Sequence, residues 1–194
     1  MNSKETLRDE ATRAITALSP EQRIVLDAQI ATHVTHMPFW SQAEVVLGYV
    51  ALDDEVDLQA VFRAASRAGK RIALPRIAAR NAPMEFRIVD DYPSSLERHA
   101  YGFLQPPENA ELFSPEDTAL VLVPGRMFDR SGFRVGRGGG YYDHFLPTLP
   151  ATAVTVGVGY AIQLVQSVPH GEGDVPVQIV VTDAESCFCR RPQP

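Results

Sequence analysis

Four short apolar runs dictate the architecture of this chain. Val45 to Ala51, Ala119 to Val123, Val154 to Gly159 and Val177 to Thr182 are too short for buried helices and rich in β-branched residues. Such runs fit strands covered on both faces, and the segments between them carry helical periodicity. Leu7, Ala11, Ala14, Ile15 and Leu18 recur at helical spacing, which predicts a helix over 3–18 that stops at Ser19-Pro20. Ser19-Pro20-Glu21-Gln22 has the form of a capping box with Pro at the first helical position, opening a second helix through Leu26, Ile30 and Val34. A helix over 57–68, ended by Gly69, leads to a strand from Arg71 to Pro75, so this strand–helix–strand unit is expected to be parallel and right-handed. Met84 to Asp90 alternates like an edge strand. Residues 91–117, rich in proline, form an expected long loop of functional or partly helical character. The pattern predicts an α/β fold, a three-layer α/β/α domain with a mostly parallel twisted sheet, in one domain over residues 1–194.

In such a sheet, ligands bind beyond the carboxyl ends of the strands. Glu55 and Arg76 fall just after two of them, and a glycine-rich segment follows a third. That segment, Gly125 to Asp143, spells Arg134-Val135-Gly136-Arg137-Gly138-Gly139-Gly140-Tyr141-Tyr142-Asp143 at its end. Glycines let backbone N–H groups turn inward, and the helix expected from about Gly140 to Leu146 adds partial positive charge, so the segment suits an anion. Arg134 and Arg137 match phosphate oxygens, and Asp143 suits a divalent cation bridging those phosphates. A nucleoside triphosphate is the ligand this implies. Neither a Walker A loop nor a dinucleotide fingerprint fits: no Lys follows the glycines, and Tyr141 stands where the latter requires Gly.

Composition narrows the remaining classes. The chain has 194 residues, 45% hydrophobic and 22% charged, with net charge -6 and no basic stripe, which argues against nucleic acid or an anionic membrane as partner. The charged N-terminus, with Lys4, Glu5, Arg8, Asp9 and Glu10, does not read as a signal peptide or a span, so a cytoplasmic protein is expected. Cys187 and Cys189 are expected to be reduced, non-catalytic thiols. His33 and His36 share a helical face without a third ligand and are read as surface histidines, and Trp40 is read as a packing residue.

The glycine segment resembles the signature of the 5-formyltetrahydrofolate cyclo-ligases, also called 5,10-methenyltetrahydrofolate synthetases. The likeness extends to Lys4-x-x-x-Arg8, Glu55-Val56-Asp57, Pro75-Arg76, Tyr101-Gly102-x-x-x-Pro106, Val158-Gly159-Tyr160-Ala161-x-Gln163 and Asp174-Val175-Pro176-Val177. The resemblance implies an ATP-dependent cyclisation of 5-formyltetrahydrofolate. It implies that Lys4, Arg8, Arg134, Gly136, Arg137, Gly138, Gly139 and Gly140 bind ATP, that Asp143 and Asp174 hold Mg2+, and that Val50 and Glu55 contact the folate. Arg134, Arg137 and Tyr142 are the catalytic set it implies; Arg137 also reaches the folate, and Tyr141 and Tyr142 line both substrate sites. A diverged relative acting on another formamide or thiamine-related compound, or a non-catalytic folate-binding protein, is compatible with the same residues. Leu58 stands where the family usually has Thr, Val135 where it has Leu, His144 where it often has Arg, and Gln178 where an acid is common.

Overall fold

The computed structural model describes residues 3–79, 82–99 and 102–189. Helix α1 (Lys4–Thr16) starts where the Ser3 side chain accepts the Thr6 N–H. Helix α2 (Pro20–Thr35) opens on the expected reciprocal capping box of Ser19 and Gln22, with Pro20 in the first turn. A short helix α3 (Pro38–Gln42) follows, which no apolar period announced.

Strand β1 (Val45–Leu47) is shorter than its apolar run. Gly48 still donates to the Ala73 carbonyl, after which Tyr49 to Leu52 leave the sheet. The bend is tight: a Cβ on Gly48 would lie 2.6 Å from the Phe62 ring. Helix α4 (Gln59–Arg67) begins two residues later than expected and lacks a side-chain cap at Leu58, where a Thr would supply one. Asp57 compensates by accepting the Gln59 N–H at 2.8 Å. Gly69 ends the segment with φ +71, and strand β2 (Arg71–Ile77) pairs parallel to β1 as expected, running two residues further.

Strand β3 (Met84–Val89) is the antiparallel edge that its alternation indicated. The long loop that follows carries a small antiparallel ribbon of β4 (Glu97–Arg98) and β5 (Leu104–Gln105), with no helix among its described residues. Arg76, expected beside the ligand, instead pins this ribbon through Glu97 at 2.5 Å and the Pro106 carbonyl at 2.7 Å. Tyr101 of the Tyr-Gly motif lies outside the described residues.

Strands β6 (Ala119–Pro124), β9 (Val154–Val158) and β11 (Ile179–Val181) extend the parallel sheet, and β12 (Ser186–Phe188) closes it antiparallel. Among the described residues the order is β12-β11-β9-β6-β1-β2-β3, a mostly parallel sheet with antiparallel edges. Successive residues of β1 and β6 point to opposite faces. Val46, Leu120 and Leu122 meet Ile30 and Val34 of α2 and Phe62 of α4. Val45, Leu47, Val121 and Val123 meet the other layer, where α5 (Tyr141–Phe145) packs with Leu146 and Leu149. The α/β fold has helices on both faces of the sheet, although one short helix and loops make the second layer.

Half of the glycine segment is not a loop. β7 (Met127–Asp129) and β8 (Arg134–Val135) form a hairpin joined by β10 (Leu164–Val165) in a second small sheet. Buried Asp129 organises its turn, accepting the N–H groups of Ser131, Phe133 and, from another segment, Val168. Gln163 donates to the Gly125 and Arg126 carbonyls and accepts the Tyr160 N–H. Two motif elements, Phe-Asp and the Gln of Gly-Tyr-Ala-x-Gln, therefore build the support beneath the remaining glycine loop, residues 136–140.

Candidate active site

One cavity of about 500 Å³ opens at the carboxyl ends of β1, β2 and β6. Its wall on the β1 side is Tyr49, Val50, Leu52 and Glu55, and its apolar floor includes Pro75, Ile77 and Met84, with Phe103 and Leu104 contributed by the ribbon. Gly136, Arg137, Gly138, Gly139 and Gly140 form the opposite rim, followed by Tyr141, Tyr142 and Asp143 at the start of α5. Lys4 and Arg8 enter from α1, one turn apart, and Arg134 and Asp174 complete the wall. Apart from Arg76, the residues expected to touch a substrate or ion thus line a single space, although these positions come from widely separated segments. A pocket of this size, mostly apolar with a few charged groups converging, has the character of a small-molecule site.

The charges are paired within the wall. Lys4 Nζ bonds both Asp174 oxygens, at 2.6 and 2.7 Å. Arg134 Nη2 bonds Asp143 at 2.8 Å while its Nη1 reaches the Val175 carbonyl at 2.6 Å. Arg137 Nε bonds Glu55 at 3.1 Å, and its Nη2 bonds Asp54. Arg8 Nε donates to the Gly136 carbonyl at 2.8 Å, tying α1 to the loop. Lys4, Arg134 and Arg137 are therefore each paired with a carboxylate of the same wall.

Burial lowers the proton affinity of Arg134, with Asp143 opposing it. For Arg137 burial also acts downward, but the charges and bonds of Glu55 and Asp54 outweigh it and raise the value. Asp174 is pushed up by burial, yet the bonds from Lys4 and the Gly171 amide, with the charges of Lys4 and Arg134, hold it below the usual carboxylate range. The hydroxyls of Tyr49 and Tyr142 are buried without a partner among the described residues. Burial first, and the Glu55 charge second, push both phenols up, so each stays protonated at neutral pH.

Backbone geometry fixes the rim. Gly138 and Gly140 have φ +99 and +68, and Gly140 sits at the N-terminus of α5 in the left-handed region. His144, one turn on, is exposed and bonds the Gly140 carbonyl at 2.8 Å; it acts on the loop backbone where an Arg would carry a fixed charge.

The chain matches the model of the 5-formyltetrahydrofolate cyclo-ligase family over residues 1–183. It is 33% identical to the 5-formyltetrahydrofolate cyclo-ligase of Escherichia coli K12 over 172 residues, which is 87% of this chain and 94% of the relative. The chain belongs to the 5-formyltetrahydrofolate cyclo-ligase family. The mouse member is 25% identical over 189 residues, 93% of each chain. The NMR structure of Aquifex aeolicus 5,10-methenyltetrahydrofolate synthetase superposes with a TM-score of 0.82 at 29% identity, covering 98% of this chain and 95% of that one. At 19% identity, the Mycoplasma pneumoniae synthetase shares the fold, with a TM-score of 0.76 over 94% and 99% of the two chains.

Three residues at or beside the cavity escaped sequence reasoning. Tyr49 fell inside the apolar run Val45 to Ala51, and neither Asp54 nor Arg126 stood out in the sequence. Arg126 is only 4% exposed, pairs with Asp54 and reaches Thr12 of α1. A buried arginine has no periodicity to reveal it. The histidines and cysteines stand apart: His33 and His36 each bond a main-chain carbonyl, at Thr182 and Thr32. Cys187 and Cys189 are free thiols that lie outside the cavity, and Trp40 packs at the core margin beneath Lys70. Among the described residues no helix is long and apolar enough to cross a membrane.

Proposed function

We propose that this chain joins ATP hydrolysis to ring closure, converting 5-formyltetrahydrofolate into 5,10-methenyltetrahydrofolate with release of ADP and phosphate. The carrying observation is the single cavity, in which the Glu55 wall faces the arginine and glycine rim. An N-formyl group is an amide, whose carbon resists attack and whose oxygen leaves poorly. Its oxygen takes the γ-phosphoryl group as the bond to ADP breaks, and N10 of the same folate then attacks the formyl carbon. Phosphate departs with the former formyl oxygen, and N10 gives up its proton. No protein nucleophile is required; positioning and charge neutralisation carry the catalysis.

In this reading Glu55 accepts N–H donors from the aminopyrimidine edge while Val50 packs on the heterocycle. Arg134 and Arg137 neutralise charge on the transferring phosphoryl, Lys4 and Arg8 hold the nucleotide phosphates, and the amides of residues 136–140 cradle them. Tyr141 and Tyr142 both line the cavity, and the neutral, unpartnered Tyr142 hydroxyl is the donor this reading gives to the reacting oxygen once its ring turns toward the cavity.

Magnesium belongs to the same proposal. Among the described residues no cluster of three or more His, Cys, Asp or Glu groups is poised for a metal. Magnesium arriving with a nucleotide needs only one or two protein carboxylates, and Asp143 and Asp174 fit that requirement as hard oxygen donors on one wall. The ion would offset phosphate charge; Lys4 and Arg134, released from those carboxylates, would be free for phosphate oxygens. A single domain and a cytoplasmic setting complete the reading, supported by the continuous sheet and the unpaired thiols.

Absorbance of the methenyl product, followed with and without ATP and magnesium, tests the proposal. Product matched by equal ADP and phosphate is expected. Equal turnover without nucleotide, or tight folate binding with no turnover at all, would refute it.

A further inference from the structure

The acid assigned to folate is occupied in this structure by the arginine assigned to phosphate. Arg137 bonds Glu55 through Nε at 3.1 Å, and its Nη2 bonds Asp54 at the same time. Asp54 in turn is held by Arg126, which bonds both its carboxylate and, at 3.3 Å, its carbonyl. Four alternating charges, Arg126, Asp54, Arg137 and Glu55, therefore cross the cavity from the end of β6 to the folate wall. Both ends of this chain are buried, Arg126 at 4% and Glu55 at 10% exposed, while Asp54 at 24% and Arg137 at 45% are more open. Arg137 is the most exposed of the four, and Arg126 the most buried.

We infer that Asp54, fixed by Arg126, is a positioning residue that receives Arg137 when Glu55 turns to the folate. The inference rests on the proposed roles of Glu55 and Arg137. Glu55 Oε2 accepts the Leu52 N–H at 3.0 Å and its Oε1 accepts Arg137 Nε at 3.1 Å, so a heterocycle brought to Oε1 from the cavity meets a guanidinium already placed there. In the inferred exchange folate takes this position on Glu55 and Arg137 keeps Asp54. A half-exposed guanidinium that keeps an anionic partner loses little in the exchange, whereas one left beside a neutral Asn loses its last carboxylate in the wall. Asp54 thereby sets folate affinity without touching folate. It is not required for the phosphates: Arg137 without Asp54 has one anion fewer competing with ATP.

The test separates this role from structural support. Asp54→Asn strands the buried Arg126 charge, and removing one partner of a buried pair is strongly destabilising. The double variant Arg126→Met, Asp54→Asn removes both charges together and replaces the guanidinium by an unbranched apolar chain, which is expected to recover thermal stability. Initial rates are measured with each substrate varied at saturation of the other. The double variant should keep a 5-formyltetrahydrofolate KM raised about five- to tenfold with the KM for ATP within about twofold of the parent. If the single variant does not fold, the double variant decides alone. A parental folate KM in the folded double variant would overturn the inference while leaving the proposed function standing, and so would equal rises in both KM values, the mark of a loosened cavity. A parent without turnover would overturn the function and this inference with it.

Discussion

Replacing Glu55 by Gln tests the folate wall most directly, because the side chain keeps its shape and loses only charge. Glu55 is 10% exposed; Oε2 accepts the Leu52 N–H at 3.0 Å and Oε1 accepts Arg137 at 3.1 Å. A Gln with its oxygen toward Leu52 keeps the backbone bond and presents an NH2 group where the heterocycle's N–H donors must fit. Hydrogen bonds to a charged partner contribute about 1.5–3 kcal/mol and neutral ones about 0.5–1.5, so two donors facing a neutral acceptor lose roughly 2–3 kcal/mol. Against this, the substituted amide no longer holds Arg137 in the free variant, and folate no longer displaces a guanidinium; a half-exposed pair of this kind is worth about 1 kcal/mol at most. The net loss is about 1–2 kcal/mol, which at 1.4 kcal/mol per decade is roughly 5- to 30-fold in kcat/KM for 5-formyltetrahydrofolate. The KM for ATP should not rise. Steady-state rates in a grid of both substrates give the two constants separately, with circular dichroism to verify folding. A variant whose folate constants match the parent, or whose defect falls on ATP alone, would refute the assignment of Glu55.

Two further outcomes follow from the charges and thiols. The Asp174 carboxyl is held low in the folded chain, so its contribution to stability is complete above the unfolded value near 3.9 and fades as pH falls through the lower folded value. The urea-midpoint difference between parent and Asp174→Asn should be constant above about pH 5 and shrink below about pH 4; a difference that persists unchanged to pH 2 would exclude the Lys4 pairing as its source. Burial, with Cys187 and Asp129 nearby, pushes the Cys189 thiol up to about 12, which leaves almost no thiolate at neutral pH. Cys187→Ser with Cys189→Ser should therefore stay within a few-fold of parental turnover, and complete loss in a folded double variant would defeat a mechanism free of protein nucleophiles.

Helices α1 and α2, the parallel order of β1 and β2, the edge strand β3 and the turn-forming glycines of residues 136–140 were legible in the sequence, because each is set by interactions a few residues apart. Capping by Ser19, the period of Leu7, Ala11 and Ile15, and the stop at Gly69 need no distant partner. The boundaries that went wrong have distant causes. β1 ends at Leu47 because Phe62 of α4 crowds Gly48 and Glu55 folds back on Leu52, and no apolar count over 45–51 contains that information. Arg76 turned away to the ribbon because its carboxylate partner, Glu97, lies across a loop that gave only a proline-rich signal.

The motifs singled out residues that line one cavity, and the tertiary structure alone decided who pairs with whom. Lys4 meets Asp174, and Arg137 meets Glu55, across nearly the full length of the chain or a large part of it. Ion pairs carry no period and no fixed spacing, since Coulomb attraction depends on separation in space and on burial. For the same reason Arg126 and Asp54 were ordinary as letters. Only the packing of α1 and the β1 loop around the turn between β6 and β7 brought a buried guanidinium within reach of both Thr12 and Asp54, and made of four scattered charges one chain across the cavity.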